Sequence, residues 1–209
     1  MEKVILGKMD IPQETILNVH EDYLKRLNYL SLPRSKLVIL FSGIPGAGKT
    51  YVAKKLEERY HGVRVRTDDI RESVHKLVGN KEAIDNLDYT TPIVEQYVRW
   101  LVKNSPFENK LIILDRGIDR TYKEIFSLAE REGYVTFLIR IQASRETLER
   151  RIFDKNNCRD PHFDREIDRW TREWEDFGKQ VKPDILIENE RDNELNLKPL
   201  FKKLDKLIK

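Results

Sequence analysis

Cysteine is nearly absent from this chain of 209 residues, since Cys158 is its only one. A single thiol excludes a disulfide within the chain and fits a reducing compartment, so we expect a cytoplasmic protein. The four histidines are dispersed and form no zinc-binding spacing with that cysteine. A serine-hydrolase elbow is missing as well. These absences argue against a zinc site and against the serine-hydrolase class.

Long hydrophobic runs are also missing. No apolar stretch approaches the ~20 residues of a membrane span, and residues 1–8 lack the apolar core of a signal peptide. The net charge is only +3, because 39 Lys and Arg nearly cancel 36 Asp and Glu. That balance does not by itself indicate nucleic acid, although it leaves room for a local basic cleft. We therefore expect one α/β domain of ordinary size with no membrane partner.

The chain does contain a phosphate-binding pattern in residues 37–50. An apolar run predicts a strand buried on both faces, and Gly43-x-x-x-x-Gly48-Lys49-Thr50 follows it directly. An amphipathic helix is predicted next, so strand, glycine loop and helix come in the order that a P-loop requires. Glycines let the backbone approach a phosphate closely, and the helix N-terminus favours the anion.

Each part of the loop has an expected role. Lys49 is expected to bridge the β- and γ-phosphates, and the Thr50 hydroxyl to complete the shell of a Mg²⁺ ion. ATP and Mg²⁺ are therefore the expected cofactors. The residues predicted to contact the nucleotide are Gly43, Ile44, Pro45, Gly46, Ala47, Gly48, Lys49, Thr50 and Tyr51.

Four further strands are predicted, each followed or preceded by helical periodicity: residues 63–66, 111–115, 134–141 and 184–188. This alternation predicts an α/β fold of the P-loop NTPase type, a three-layer α/β/α sandwich with a five-stranded, mostly parallel sheet. Residues 36–209 form the predicted P-loop domain, with a helical lid at about 150–165. Residues 1–35 are predicted as an N-terminal helical extension that either packs on the sheet edge or binds a partner.

Acidic residues stand at the carboxyl ends of two predicted strands, where such a sheet binds its ligands. Asp115 ends an apolar strand in the Walker B manner and is expected to hold Mg²⁺ or orient groups near the γ-phosphate. Asp68 is nearer its strand end than Asp69, so we expect Asp68 to accept a proton from an attacking hydroxyl while Asp69 caps the helix. Arg71 is expected to pair with an anionic acceptor or to fix the carboxylate. A plain capping role for the whole acidic segment is the alternative.

An arginine-rich segment covers residues 145–160. Phosphoryl transfer needs cations over the γ-phosphate, and a closing lid supplies such arginines while it excludes water. Arg151 and Arg159 are the first candidates for this role. An exposed helix with Glu–Arg pairs is the alternative interpretation.

The loop Gly43-Ile44-Pro45-Gly46-Ala47-Gly48-Lys49-Thr50, followed by Arg66-Thr67-Asp68-Asp69-Ile70-Arg71, resembles the P-loop kinases grouped around phage polynucleotide kinase and zeta toxin. The resemblance implies that Asp68 is the general base and Arg71 the acceptor ligand. It also implies that Lys49, Thr50 and Asp115 serve the phosphates and the metal. The chain departs from the family where Thr67 separates Arg66 from Asp68.

The expected function is that of an ATP-dependent kinase that transfers the γ-phosphate to a hydroxyl. The acceptor is open: a 5′-hydroxyl of a nucleic acid, a nucleoside or nucleotide, a sugar nucleotide as in zeta toxins, or another small molecule. A P-loop ATPase or switch is the alternative from another class, and a binding module without catalysis is a third. The chain is too short for a typical AAA+ module with its helical lid domain, which favours the kinase. The oligomeric state is left open.

Overall fold

The computed structural model describes residues 4–6, 9–11, 18, 21, 35–70, 72, 111–158, 160–190 and 195–208. Two short strands, β1 (Val4–Leu6) and β2 (Met9–Ile11), come first and pair antiparallel. The elements that follow are β3 (Leu37–Ser42), α1 (Lys49–Tyr60), β4 (Val63–Arg66), β5 (Ile112–Gly117), α2 (Tyr122–Arg131), β6 (Val135–Gln142), α3 (Arg145–Asn156), α4 (Pro161–Gln180), β7 (Ile185–Glu188) and α5 (Lys198–Leu204).

The five strands from β3 onwards form one sheet in the order β4-β5-β3-β6-β7. Every strand pair in this sheet is parallel. All five predicted strands are present, so the predicted α/β fold of the P-loop NTPase type is confirmed. The strand that precedes the glycine loop is the central one, with β5 on one side and β6 on the other. The loop therefore lies at the middle of the sheet's carboxyl edge, where such folds bind ligands.

Both faces of the central strand are covered, because all six residues of β3 are buried. Successive side chains of a strand point to opposite faces of the sheet. Leu37, Ile39 and Phe41 share one core cluster with buried residues of α1 and α5. The buried residues of α2 lie outside that cluster, and α2 contacts β6. Helices thus cover both faces of the sheet, which explains why the strand reads as an unbroken apolar run.

The helices α3 and α4 follow one another with a short link. Ser144 caps α3, since its hydroxyl accepts a hydrogen bond from the Thr147 N–H at 3.3 Å. Asp160 caps α4 by accepting from the N–H groups of His162 and Phe163, and Pro161 begins the helix. The predicted lid at 150–165 therefore consists of the end of one helix and the start of the next.

Two predicted segments lie largely outside the described residues. Asn18 and Glu21 are helical, but the rest of the helix predicted before the P-loop is not described, so the N-terminal extension stays a prediction. The sequence did not predict the β1–β2 pair. Residues 71 and 73–110 are likewise outside the described part of the chain. Of the described helices, none combines the length and hydrophobicity needed to cross a bilayer.

Candidate functional site

The glycine loop between β3 and α1 has a backbone that only glycine adopts readily. Gly46 and Gly48 have φ angles of 88° and 103°, in the left-handed region. A Cβ on Gly48 would also overlap the amide nitrogen of Asn189. Glycine at position 48 is therefore required for two reasons: the left-handed turn of the loop and the close approach of the Asn189 side chain.

Lys49, the first residue of α1, points its amine back into the loop. Nζ donates hydrogen bonds to the carbonyl oxygens of Gly43 at 2.6 Å and Ile44 at 3.1 Å. Loss of hydration lowers the pKa of Lys49 to about 8, although the negative charges of Asp119 and Asp115 oppose this shift. The Lys49 amine is thus held inside the loop by two carbonyl groups of the loop itself, and its role at the phosphates stays a prediction.

Thr50 and Asp115, the predicted metal residues, are in contact across 65 positions of sequence: Thr50 Oγ1 donates to Asp115 Oδ1 at 3.0 Å. The Asp115 side chain is 1% exposed, and its other oxygen accepts from Arg64 Nη1 at 3.0 Å. A hydroxyl and a carboxylate are oxygen donors that suit Mg²⁺. Within the described ranges no group of three or more His, Cys, Asp or Glu is arranged to hold a metal. A Mg²⁺ ion here would need phosphate and water as further ligands, which is its usual preference.

The end of β4 carries the predicted acidic pair, and the helix begins earlier than expected. Residues 67–70 are already helical, so both aspartates lie inside the first turn instead of before it. Arg66 contacts both: its Nη1 lies 2.9 Å from Asp69 Oδ1 and its Nη2 lies 3.5 Å from Asp68 Oδ2. Both aspartates thus form ion pairs with the residue that ends β4, and the cap predicted for Asp69 stays a prediction. The predicted acceptor ligand, Arg71, lies outside the described residues.

The two aspartates differ in exposure. The side chain of Asp68 is 63% exposed and that of Asp69 is 31% exposed. Burial raises the pKa of Asp69 above its usual value, against the opposing charges of Arg66 and Arg64. Asp68 is accessible to a substrate hydroxyl, which suits the predicted base. The choice of Asp68 as the base stays a prediction.

Arg151 was predicted to act above the γ-phosphate. Its guanidinium contacts a backbone carbonyl of the phosphate-binding loop. Nη1 donates to Gly46 O at 3.4 Å, and Nη2 donates to Asn189 Oδ1 at 3.1 Å. The structure thus places Arg151 against the backbone of the phosphate-binding loop, a contact that the sequence did not predict, and its role over the γ-phosphate stays a prediction. Arg159, the other predicted lid arginine, lies outside the described residues.

The sequence did not predict two residues that contact the phosphate-binding loop, Asp119 and Asn189. Asp119 accepts hydrogen bonds from Ser42 Oγ at 2.5 Å and from the Gly43 N–H at 3.4 Å, where strand β3 becomes the loop. Asn189, which follows β7, is buried and donates from Nδ2 to Ala47 O at 2.8 Å. The available signal was their place just beyond the carboxyl ends of β5 and β7, where polar residues meet a ligand site.

Comparison with known proteins agrees with this architecture. A family profile described as an AAA domain matches residues 38–178, more than half of the chain. No curated protein matches the chain.

Several solved structures share the fold. A chain of the PezAT chromosomal toxin–antitoxin system of Streptococcus pneumoniae has a TM-score of 0.68 at 19% identity, covering 90% of this chain and 81% of that chain. A Chloroflexus aurantiacus protein, described provisionally as a kinase, has a TM-score of 0.58 at 13% identity, covering 84% of this chain and 100% of that chain. APE1195 has a TM-score of 0.54 at 17% identity, covering 86% of this chain and 100% of that chain. At these identities the likeness supports the fold alone.

Proposed function

This chain belongs to the AAA domain family and has a P-loop NTPase fold, and from the acidic residues at its site we propose that it is a phosphotransferase that moves the γ-phosphate of ATP to a hydroxyl acceptor. More narrowly, we place it with the P-loop kinases grouped around polynucleotide kinase and zeta toxin. The acceptors to consider are a 5′-hydroxyl of RNA or DNA, a nucleoside or nucleotide, a sugar nucleotide, and other small molecules.

One observation carries the kinase proposal: the Arg66 guanidinium joins the two acidic sites. It contacts Asp68 and Asp69 at the end of β4, and its Nε lies 3.7 Å from Asp115 Oδ2 at the end of β5. Arg66 and Asp115 are direct neighbours in the parallel register of the two strands. The candidate base Asp68 and the carboxylate that contacts Thr50 therefore lie against the same guanidinium. A protein that only bound nucleotide would have no need of such an acid beside the metal end of its P-loop.

The donor side uses the loop itself. The N–H groups at the start of α1 and the Lys49 ammonium bind the phosphates of ATP. Thr50 and Asp115 would hold Mg²⁺, which when bound neutralises charge on the β- and γ-phosphate oxygens. Gly43 and Ile44 release the Lys49 amine to the phosphate, since their carbonyls are its partners in the free protein.

The acceptor side uses Asp68. The acceptor hydroxyl gives its proton to the carboxylate, and its oxygen forms a bond to the γ-phosphorus. The bond between that phosphorus and the oxygen bridging to the β-phosphate breaks, and ADP leaves. Arg71 binds the acceptor and Arg159 covers the γ-phosphate in this proposal. A general base of this kind contributes roughly 10²–10⁴-fold to the rate.

The second candidate is a P-loop ATPase, which the AAA description of the family favours. Such a protein would hydrolyse ATP to water and change the state of a partner. The two functions differ in whether turnover needs an acceptor. That difference decides the experiment.

Transfer of labelled γ-phosphate is measured with pooled nucleosides, nucleotides, sugar nucleotides and 5′-hydroxyl oligonucleotides, and without any acceptor. Turnover that rises with one acceptor class supports the kinase, whereas equal turnover without acceptor supports the ATPase. Lys49→Ala is expected to abolish transfer. Asp68→Asn is expected to lower kcat by roughly 10²–10⁴ with little change in nucleotide affinity. Asp69→Asn is the matched comparison, and full activity of Asp68→Asn beside an inactive Asp69→Asn would sink the base assignment.

A further inference from the structure

The carbonyl side of the phosphate-binding loop is held by two side chains from distant parts of the chain. Asn189, just after β7, donates to Ala47 O, and Arg151 of α3 donates to Gly46 O. The two side chains also contact each other, since Arg151 Nη2 donates to Asn189 Oδ1 at 3.1 Å. Together they satisfy consecutive carbonyls of the loop.

Arg151 and Asn189 contact carbonyl groups of the loop, whereas the groups that bind a phosphate in a loop of this kind are its backbone N–H groups. The carbonyl of one residue and the N–H of the next belong to the same peptide plane. A side chain that holds the Gly46 or the Ala47 carbonyl therefore also orients the N–H of Ala47 or Gly48. The missing Cβ of Gly48 leaves the room that the Asn189 amide occupies.

The backbone segments that carry these two side chains are themselves fixed. The Asn189 N–H donates to Gln142 O at 2.8 Å, which fixes the residue to the end of β6. Thr147 lies four residues before Arg151, on the same face of α3, and its hydroxyl donates to Glu190 Oε2 at 3.1 Å. Side chains on one face of α3 thus form hydrogen bonds with Asn189 and Glu190, the two residues that follow β7. Helix α3, the segment 189–190 and the loop form one connected unit.

We propose that Asn189 and Arg151 are positioning residues for the nucleotide: they hold the Gly46 and Ala47 carbonyls so that the loop's N–H groups stay directed at the phosphates. The inference rests on the proposed binding of ATP by this loop. It gives Arg151 a role in affinity, through the loop, in place of the role over the γ-phosphate that its sequence position predicts.

The test measures the affinity for a non-hydrolysable ATP analogue together with kcat, with the acceptor class that supports the highest turnover in the transfer assay. Asn189→Ala and Arg151→Ala are each expected to weaken binding of the analogue by about tenfold, as expected for one lost hydrogen bond of this type. The double variant is expected to resemble the weaker-binding single variant, because each side chain needs the other. Asn189→Asp keeps the acceptor for Arg151 but sets a carboxylate against Ala47 O, so it is also expected to weaken binding.

The matched control is Arg145→Ala. Arg145 is an arginine of the same helix whose partners, Glu149 and Asp168, are on the surface, and its loss is expected to leave affinity unchanged. Should Asn189→Ala fail to fold in a thermal unfolding scan, Arg151→Ala and Asn189→Asp carry the test.

The outcomes separate cleanly. Weakened binding with kcat at saturating ATP within about threefold of the parent supports the inference. A fall in kcat of about 10³ for Arg151→Ala with unchanged affinity makes Arg151 a transition-state cation and overturns it. Unchanged affinity and kcat in all variants overturn it too, while the parent protein's own activity keeps the proposed function intact. A parent protein that binds no nucleotide overturns the proposed function.

Discussion

The environment of the Lys49 amine in the phosphate-binding loop is set by a few nearby residues. The Lys49 amine sits against two carbonyl oxygens, with Asp115 and Asp119 near enough to oppose the effect of burial on its pKa. Asp119 also holds the first residue of the loop through the Gly43 N–H. The same few side chains thus set both the shape of the loop and the charge of its lysine.

The pH dependence of nucleotide binding follows from Lys49. Burial favours the neutral amine and places its pKa at about 8 in the free protein, whereas only the ammonium attracts phosphate. Affinity for the ATP analogue is therefore expected to be full below pH 8 and to fall by up to about tenfold per pH unit above it. Isothermal titration between pH 6.5 and 9.5 measures this. Lys49→Arg stays charged and serves as the control, and a level profile in the parent would show that the lysine does not titrate there.

Arg64 matters for stability because it pairs with a buried carboxylate. Its guanidinium lies 3.0 Å from Asp115 Oδ2 and 2.6 Å from the more exposed Glu57. Arg64→Met leaves the buried Asp115 carboxylate with the longer contact to Arg66 as its described ion pair, beside the hydrogen bond from Thr50. The free energy of unfolding is therefore expected to fall by about 3 kcal/mol. Urea unfolding at neutral pH measures the change. Glu57→Gln is the control, expected to cost under about 1 kcal/mol, and equal effects of the two would contradict the account.

Helix α4 contacts the sheet through Arg140, whose side chain packs on Trp174 in the space left by Gly178. Arg140 of β6 stacks its guanidinium on the Trp174 ring at 3.8 Å and donates to Trp174 O at 3.1 Å. A Cβ on Gly178, one turn later in α4, would overlap that guanidinium. The glycine is therefore needed for packing, in a helix where propensity alone would favour alanine.

Gly178→Ala is expected to destabilise the protein. Alanine gains about 1 kcal/mol of helix propensity, but the displaced guanidinium loses its stacking and its hydrogen bond, together about 2–3 kcal/mol. The free energy of unfolding is expected to fall by about 1–2 kcal/mol on balance. In an Arg140→Ala background the same substitution is expected to stabilise by about 1 kcal/mol. Equal effects in the two backgrounds, by urea unfolding, would rule out the contact as the cause.

At the scale of the whole molecule, the site is assembled from segments spread over most of the chain. The loop residue Ala47 meets Asn189 across 142 positions, and Thr50 meets Asp115 across 65. The site therefore exists only when the sheet is complete. Ligand binding is then coupled to the stability of the entire fold.

ATP with Mg²⁺ is expected to stabilise the folded protein by mass action. A ligand that binds only the folded state at 100 times its Kd adds about 2.7 kcal/mol to the free energy of unfolding. Thermal unfolding is expected to shift upwards with ATP concentration in the parent protein. Lys49→Ala is expected to show little shift, whereas Arg145→Ala is expected to behave like the parent. A shift of equal size in Lys49→Ala would place the nucleotide elsewhere.

Features with short-range causes were readable from the sequence. Four of the five strands were predicted from apolar runs bounded by polar residues, and β4 from its alternation of valine and arginine. The P-loop was predicted because its glycines and Lys49-Thr50 are close together in the sequence. Asp115 was predicted because it ends one of these apolar runs. The fold class follows from the alternation of strands and helices.

The order of the strands and the contacts at the site were decided by tertiary structure. No local pattern states that β5 and β6 flank β3, that Arg66 lies beside Asp115, or that Asn189 reaches the glycine loop. The roles of Arg71 and Arg159 stay predictions. Hydrophobic periodicity is encoded in neighbouring residues, whereas a contact between residues far apart in the chain depends on which strands pair with one another. Parallel pairing brings the carboxyl ends of the five strands to one edge of the sheet, where residues from distant parts of the sequence form the site.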